Sequence, residues 1–148
     1  MRFAMVLLVG LTACGGIVPP APPAPRTGTD VLASRDKAWD AVIEVFAEKN
    51  IQVRTMEKAS GFIAAEPGAV GQKGLADCGK AIGVPLIPDR ATYNVLVRGD
   101  EKQSSVKVTV RFTQGGRAQF DQLVECSSLG VWESSFEERV KAIAEGKK

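Results

Sequence analysis

Two stretches of the chain repeat apolar side chains at the three- and four-residue spacing of an amphipathic helix. The first predicts a helix over residues 35–49, with Ser34 as its N-cap. The second predicts a helix over residues 131–145, with Ser127 or Ser128 as its cap. The two apolar stripes consist of Trp39, Val42, Ile43 and Phe46 in the first helix, and of Trp132, Phe136, Val140 and Ile143 in the second.

Between these helices, apolar and polar residues alternate with the period of two that is typical of β-strands. The alternation is clearest over residues 105–113, where four apolar positions predict a buried face and the residues between them a solvated one. Residues 118–123 fit either a short strand or a linker. Further strands are predicted over residues 51–57, 62–66 and 91–98.

Residues 67–90 contain five glycines and three prolines and predict a long loop. Such a loop is unusual inside a compact domain unless it is functional or tied down. The element order is therefore helix, two strands, loop, two strands, helix. We expect an α+β fold, a two-layer sandwich in which both helices cover one face of a four-stranded antiparallel sheet.

The chain begins with Met1, Arg2 and an apolar run over residues 3–11. At ~1.5 Å per residue this run spans about 14 Å, half of a ~30 Å hydrocarbon core, so it is too short to cross a membrane. Its positive start, its length and its small-residue end are typical of a secretory signal peptide, here residues 1–13.

The apolar run ends in Leu11-Thr12-Ala13-Cys14, which resembles the lipobox of bacterial lipoproteins. The resemblance implies cleavage before Cys14, a diacylglyceryl thioether on its sulfur and a third acyl chain on the new amino group. Two membrane signals already anchor a protein stably, so three chains would attach it permanently. A soluble signal peptide, or a buried strand with an incidental cysteine, are the alternatives.

The residue after that cysteine bears on location. In enteric lipoproteins an aspartate there implies retention in the inner membrane, whereas this chain has Gly15. The resemblance therefore implies the outer membrane, with the protein facing the periplasm.

Residues 14–29 include five prolines and predict an extended tether that reaches roughly 45 Å, with proline-rich partner binding as the alternative. A single folded domain is expected over residues 30–148.

With Cys14 assigned to lipid, Cys78 and Cys126 remain. An even remainder in an exported protein favours a disulfide, which would tie down the loop over residues 67–90. It would close a loop of about 49 residues and stabilise the fold by ~4 kcal/mol in the chain-entropy account. Two free thiols are the alternative. The chain has no histidine, so no metal site is expected.

Composition and motifs argue against several functions. The net charge is +2 and no basic stripe is present, so nucleic acid is not an expected partner. Residues 74–81 fit G-x-x-x-x-G-K, but Ala81 lacks the hydroxyl that a phosphate loop needs, so no nucleotide or other cofactor is expected.

The same composition argues against catalysis. Without histidine, serine or cysteine cannot form the usual nucleophile–histidine pair. A serine–lysine pair that uses Ser127 or Ser128 is formally possible, but helix capping is the expected role of both. We therefore expect no enzyme. Carboxylates that could act as acid and base, but that we expect to be solvated charges, are Glu66, Asp77, Asp89, Asp121 and Glu125.

A second resemblance lies within residues 33–66. Ala38-Trp39 in the first helix, and the strand pair joined through Lys58-Ala59-Ser60-Gly61-Phe62-Ile63, are similar to the repeat of BamC (NlpB) envelope lipoproteins. It implies a helix-grip-like domain at the outer membrane, as an accessory in an envelope complex. The cysteine pair and the proline-rich segment depart from that pattern.

Together these patterns predict a lipid-anchored, non-enzymatic envelope protein that works through contacts with another envelope protein. The alternative is a carrier of a lipid or small ligand in a helix-grip pocket. Aromatic residues at helical spacing would form either the hydrophobic core or the lining of such a pocket, and these are Trp39, Phe46, Trp132 and Phe136.

Overall fold

The computed structural model describes residues 18–66, 68–70, 72–115 and 123–147. Within these residues the chain forms two helices, α1 (Arg35–Glu48) and α2 (Val131–Ala144). Ser34 caps α1, because its hydroxyl accepts a hydrogen bond from the Lys37 amide. Both predicted helices are confirmed.

The predicted cap of α2 is wrong. Ser127 and Ser128 end a strand, and the residue that precedes α2 is Gly130, with a φ of 76° and no side-chain cap among the described residues. The Ser128 hydroxyl instead accepts from the Gly130 amide and donates to the buried carboxylate of Glu133. Ser128, the last residue of the strand, therefore stabilises the turn that connects the strand to α2.

Ten strands lie within the described residues, and every pairing between them is antiparallel. The first five are β1 (Thr29–Val31), β2 (Val53–Glu57), β3 (Phe62–Ala65), β4 (Gly68–Ala69) and β5 (Ala76–Asp77). The others are β6 (Lys80–Ala81), β7 (Val84–Pro85), β8 (Arg90–Gly99), β9 (Ser104–Gln114) and β10 (Val124–Ser128).

The four predicted strands correspond to β2, β3, β8 and β9, which are neighbours in that order. The α+β class is confirmed, but a four-stranded sheet is wrong. Eight of the described strands form the main sheet, in the order β2-β3-β8-β9-β10-β5, with β1 also on β9 and β4 on β8. Three of the four additional strands, β1, β4 and β5, have two or three residues, too few for periodicity to reveal, and the fourth, β10, has five. The undecided residues 118–123 lie largely outside the described part.

The helices pack against each other and against the sheet, α1 on β8 and β9, and α2 on β9 and β1. Alternation along β9 buries Val106, Val108, Val110 and Phe112, as predicted. Phe46 of α1 and Phe136 of α2 meet above them, with ring centroids 4.9 Å apart. The core therefore lies between the helices and the two longest strands.

One edge of β9 is divided between two partners. β1 pairs with residues 104–106 and β10 with residues 112–114. Beyond Cys126, β10 turns away to pair with β5. Between these partners the Val108 amide donates not to a strand but to the Glu137 carboxylate of α2, at 2.9 Å. A side chain thus replaces a strand in the middle of the sheet.

We predict that Gly61→Ala is much more destabilising than Gly74→Ala. Both glycines have a positive φ, 76° and 82°, so alanine costs each about 1 kcal/mol of backbone strain. A Cβ at Gly61 would also overlap the Val97 carbonyl, whereas no other described atom lies within 4 Å of a Cβ at Gly74. This overlap should add ~1–3 kcal/mol. Urea denaturation checks the difference, and equal unfolding free energies would contradict this packing.

Candidate functional site

The lipobox Leu11-Thr12-Ala13-Cys14 lies outside the described residues, and lipidation of Cys14 stays a prediction. The other two cysteines are described. The sulfur atoms of Cys78 and Cys126 are 2.04 Å apart and form the predicted disulfide. It joins the residue after β5 to the middle of β10, two strands that are also hydrogen-bonded to each other. The glycine-rich loop is therefore tied to the C-terminal part of the domain by both backbone and covalent bonds.

The proline-rich segment is not detached from the domain over its described part. We call residues 18–28 the strap. Val18 exchanges two backbone hydrogen bonds with Lys80, at 2.9 and 3.0 Å. The Ala21 amide donates to Asp77 at 3.0 Å. Over these residues the predicted tether therefore lies against the domain, because its backbone groups find partners on the loop that the disulfide holds.

Farther along the strap, Arg26 reaches the N-terminal end of α2. Its guanidinium donates to the Gly130 carbonyl and the Ser134 hydroxyl, each at 3.0 Å, and to Glu137 Oε2 at 2.9 Å. The Thr29 hydroxyl donates to the same oxygen. Glu137 is only 2% exposed, and its carboxylate is paired with Arg26 and hydrogen-bonded. Burial of a charge is tolerated under these conditions.

A second buried carboxylate lies one turn before Glu137. Glu133 is also 2% exposed and accepts from the Ser128 hydroxyl at 2.6 Å. Its Oε2 atom, and the Nε atom of Arg26, have no hydrogen-bond partner among the described residues. Both side chains line a cavity of about 440 Å³ between the strap, β9 and β10. A hydrogen-bond donor would satisfy Glu133 Oε2 and an acceptor would satisfy Arg26 Nε, and a water molecule can serve as either.

A larger cleft, of about 760 Å³, lies beside Trp132. The Trp132 ring packs between Tyr93 and Phe136, with centroid distances of 4.5 and 5.1 Å, and Lys49 Nζ lies 5.7 Å from its centroid. Burial raises the pKa of Tyr93 above its usual value, which keeps the phenol neutral. Of the four aromatic residues predicted as core or pocket, only Trp132 lines this cleft, and Trp39, Phe46 and Phe136 are buried.

The candidate acid–base carboxylates do not converge on this cleft. Only Glu66 lines it, and Arg54 lies 3.6 Å from that carboxylate. Asp89 accepts from the Gly115 amide at 2.9 Å, and Glu125 pairs with Arg111 at 3.1 Å. Asp121 lies outside the described residues.

Asp77 is a structural carboxylate. It accepts the Ala21 and Gly79 amides at 3.0 and 2.8 Å, and these backbone hydrogen bonds lower its pKa below the ordinary value. It belongs to the G-x-x-x-x-G-K near-match over residues 74–81, which folds as β5, the disulfide cysteine and β6. This segment is therefore not the strand–loop–helix unit that binds nucleotide phosphates.

The hairpin of β6 and β7 is a surface feature that the sequence pattern did not predict. Ile82 and Gly83 form its two-residue turn, with φ angles of 51° and 76°. Ile82, Val84 and Ile87 are exposed, and so is Val18, whose backbone pairs with β6. The apolar composition of residues 81–87 could have indicated this hairpin, but the glycine and proline within them favoured the prediction of a plain loop.

In the described ranges, no three or more acidic or cysteine side chains group closely enough to hold a metal ion. Nor does any helix there have the length and apolar character needed to span a bilayer. The chain matches no protein-family model and no curated protein.

We predict that Arg26→Ala lowers the free energy of unfolding by ~3–5 kcal/mol, because it leaves the buried Glu137 charge without its cation. Arg139→Ala is the matched control. It removes an arginine–carboxylate pair with Glu48, which is bidentate, but both of those side chains are exposed. We expect the control to change stability little. Similar losses for the two variants in urea denaturation would contradict a docked strap.

Proposed function

We propose that this chain is a bacterial lipoprotein, attached to the outer membrane through acyl chains on Cys14 and facing the periplasm. Its domain has no catalytic role and acts as an accessory that binds another envelope protein. The observation that carries the proposal is Leu11-Thr12-Ala13-Cys14 at the end of a short apolar run.

The disulfide supports export to an oxidising compartment. Structural disulfides persist in the periplasm and are rare in the cytosol. Cys78 and Cys126 are bonded and buried, which leaves Cys14 as the cysteine available for a thioether. The cysteine content of the chain is thus accounted for by one anchor and one bridge.

The fold is consistent with the second resemblance. A helix followed by the β2–β3 hairpin occupies the part of the chain that is similar to BamC-like lipoproteins. We therefore propose that the domain is a two-layer, helix-grip-like member of the envelope accessory proteins. Gly15, where an aspartate would imply inner-membrane retention, favours the outer membrane.

The cleft beside Trp132 is the surface that we propose for the protein partner. Tryptophan and tyrosine, both present in this cleft, are the residue types that dominate protein–protein binding energy. Val131, which also lines the cleft, is an exposed apolar side chain next to the partly exposed indole of Trp132. Polar residues on the other side, such as Gln52 and Lys49, match the polar margin of a typical interface.

We predict that Cys14→Ala releases the protein from the membrane fraction and abolishes labelling with radioactive palmitate, because the thioether sulfur is lost. Thr27→Ala, on the exposed surface of the strap, is the control and should leave both unchanged. Cell fractionation and metabolic labelling provide the measurements. Palmitate labelling of the Cys14→Ala chain would refute the anchor.

The size of the Trp132 cleft, about 760 Å³, favours one other function, carriage of a lipid or small apolar ligand. The two candidates differ in what fills the cleft. A carrier encloses its ligand, whereas this cleft is bordered by exposed polar side chains, including Lys49, Asn50 and Gln52. The interior between the helices and the sheet is filled by Phe46, Phe136 and Ile63.

A fluorescence titration separates these functions. The chain has two tryptophans, so Trp39→Phe leaves Trp132 as the sole indole reporter. We predict no saturable change in its emission when a long-chain fatty acid is added, because the cleft is open and partly polar. A saturable blue shift, absent after Val131→Asp in the same background, would instead establish the carrier function.

A further inference from the structure

The hairpin of β6 and β7 carries a group of exposed apolar side chains next to the start of the strap. We call Val18, Ile82, Val84 and Ile87 the apolar tip. They are neighbours because the Val18 backbone pairs with Lys80, β6 pairs with β7, and the Leu86 amide bonds to the Gly79 carbonyl. Contiguous exposed apolar groups of this kind mark interaction sites.

Ile82 is unfavourable at its position because of the backbone conformation that the turn requires. Its φ of 51° is in the left-handed region, where a β-branched side chain is strained. A two-residue hairpin turn with positive φ at both positions favours Asn-Gly or Asp-Gly, and this one is Ile82-Gly83. The side chain is also 73% exposed, so packing within the domain does not compensate for the strain. Contact with a partner outside the domain would compensate for this strain.

The proposed lipid anchor on Cys14 indicates which surface lies next to the apolar tip. Cys14 precedes Val18 by four residues, which span at most ~14 Å even when fully extended. Docking of the strap thus shortens the effective tether from the whole proline-rich segment to these few residues. Acyl chains on Cys14 would hold the apolar tip beside the bilayer surface.

We propose that the apolar tip inserts into the boundary between headgroups and acyl chains of the leaflet that holds the Cys14 anchor. Its partner is the lipid surface itself. The inference rests on the proposed lipidation of Cys14. Lys80 is exposed on the same hairpin and suits the phosphate groups of that surface. The domain then has a fixed face toward the membrane instead of turning freely at the end of a tether.

The experiment uses the full lipidated chain in vesicles of phosphatidylethanolamine and phosphatidylglycerol. A photocrosslinking amino acid, p-benzoylphenylalanine, replaces either Ile82 or Leu32. Leu32 is the matched control because it is an apolar residue with nearly the same exposure, 75%, at the end of β1. We expect severalfold more crosslinking to lipid from position 82 than from position 32. Equal yields, or crosslinks from position 82 to protein instead of lipid, would overturn the proposal.

The crosslinking result can be distinguished from the result of the test for Cys14 lipidation. Palmitate labelling of the same preparation reports Cys14 independently of the hairpin. Labelled protein with no preference of position 82 for lipid overturns membrane contact and leaves the anchor intact. Absence of labelling removes the anchor, and the proposal about the tip fails with it.

A second variant separates contact from folding. Ile82→Asn places in the turn a residue that tolerates positive φ, so the urea midpoint should stay the same or rise. With the photocrosslinker at Val84, Ile82→Asn should reduce lipid crosslinking severalfold, because the most exposed apolar side chain of the apolar tip is lost. A more stable or equally stable protein with undiminished crosslinking would show that Ile82 does not contact the membrane.

Discussion

The carboxylate of Glu137 connects three parts of the chain that are far apart in sequence. It accepts from the Val108 amide in the middle of β9, from Arg26 in the strap and from Thr29 at the start of β1. A buried charge is tolerated only when it is paired and hydrogen-bonded, so each of these donors is needed by the same group. The divided edge of β9, the position of α2 and the docking of the strap therefore depend on one side chain.

Local patterns were sufficient for the helices and the long strands. Periodicity in α1, α2, β8 and β9 reflects burial of one face, because each residue along the element is apolar or polar according to the face on which it lies. Strands of two or three residues, such as β4 and β5, carry no such pattern, because their pairing is fixed by neighbours distant in sequence. Ser127 and Ser128 resembled a helix cap by residue type, but the bonds that hold β10 to β5 keep them extended.

The candidate site, too, was predictable from the sequence only in part. Counting cysteines was enough for the disulfide, since only one pairing remained after Cys14 was set aside. The ion pair of Arg26 with Glu137 has a separation of 111 residues, and nothing near either residue indicates it. Proline-rich composition describes a segment that cannot form its own core, but it says nothing about docking on a core made elsewhere. Glutamates on a helix are usually solvated, whereas Glu133 and Glu137 are both buried.

This topology also sets an order of events during biogenesis. Synthesis proceeds from the N-terminus, so residues of the strap emerge well before Lys80 and long before Glu137. Until the last helix is made, Arg26 has no Glu137 carboxylate to bind, and this end of the strap is not yet held on the domain. The proposed acylation of Cys14, carried out on such a chain, would precede completion of the fold, and formation of α2 would then dock the strap beside the lipid anchor.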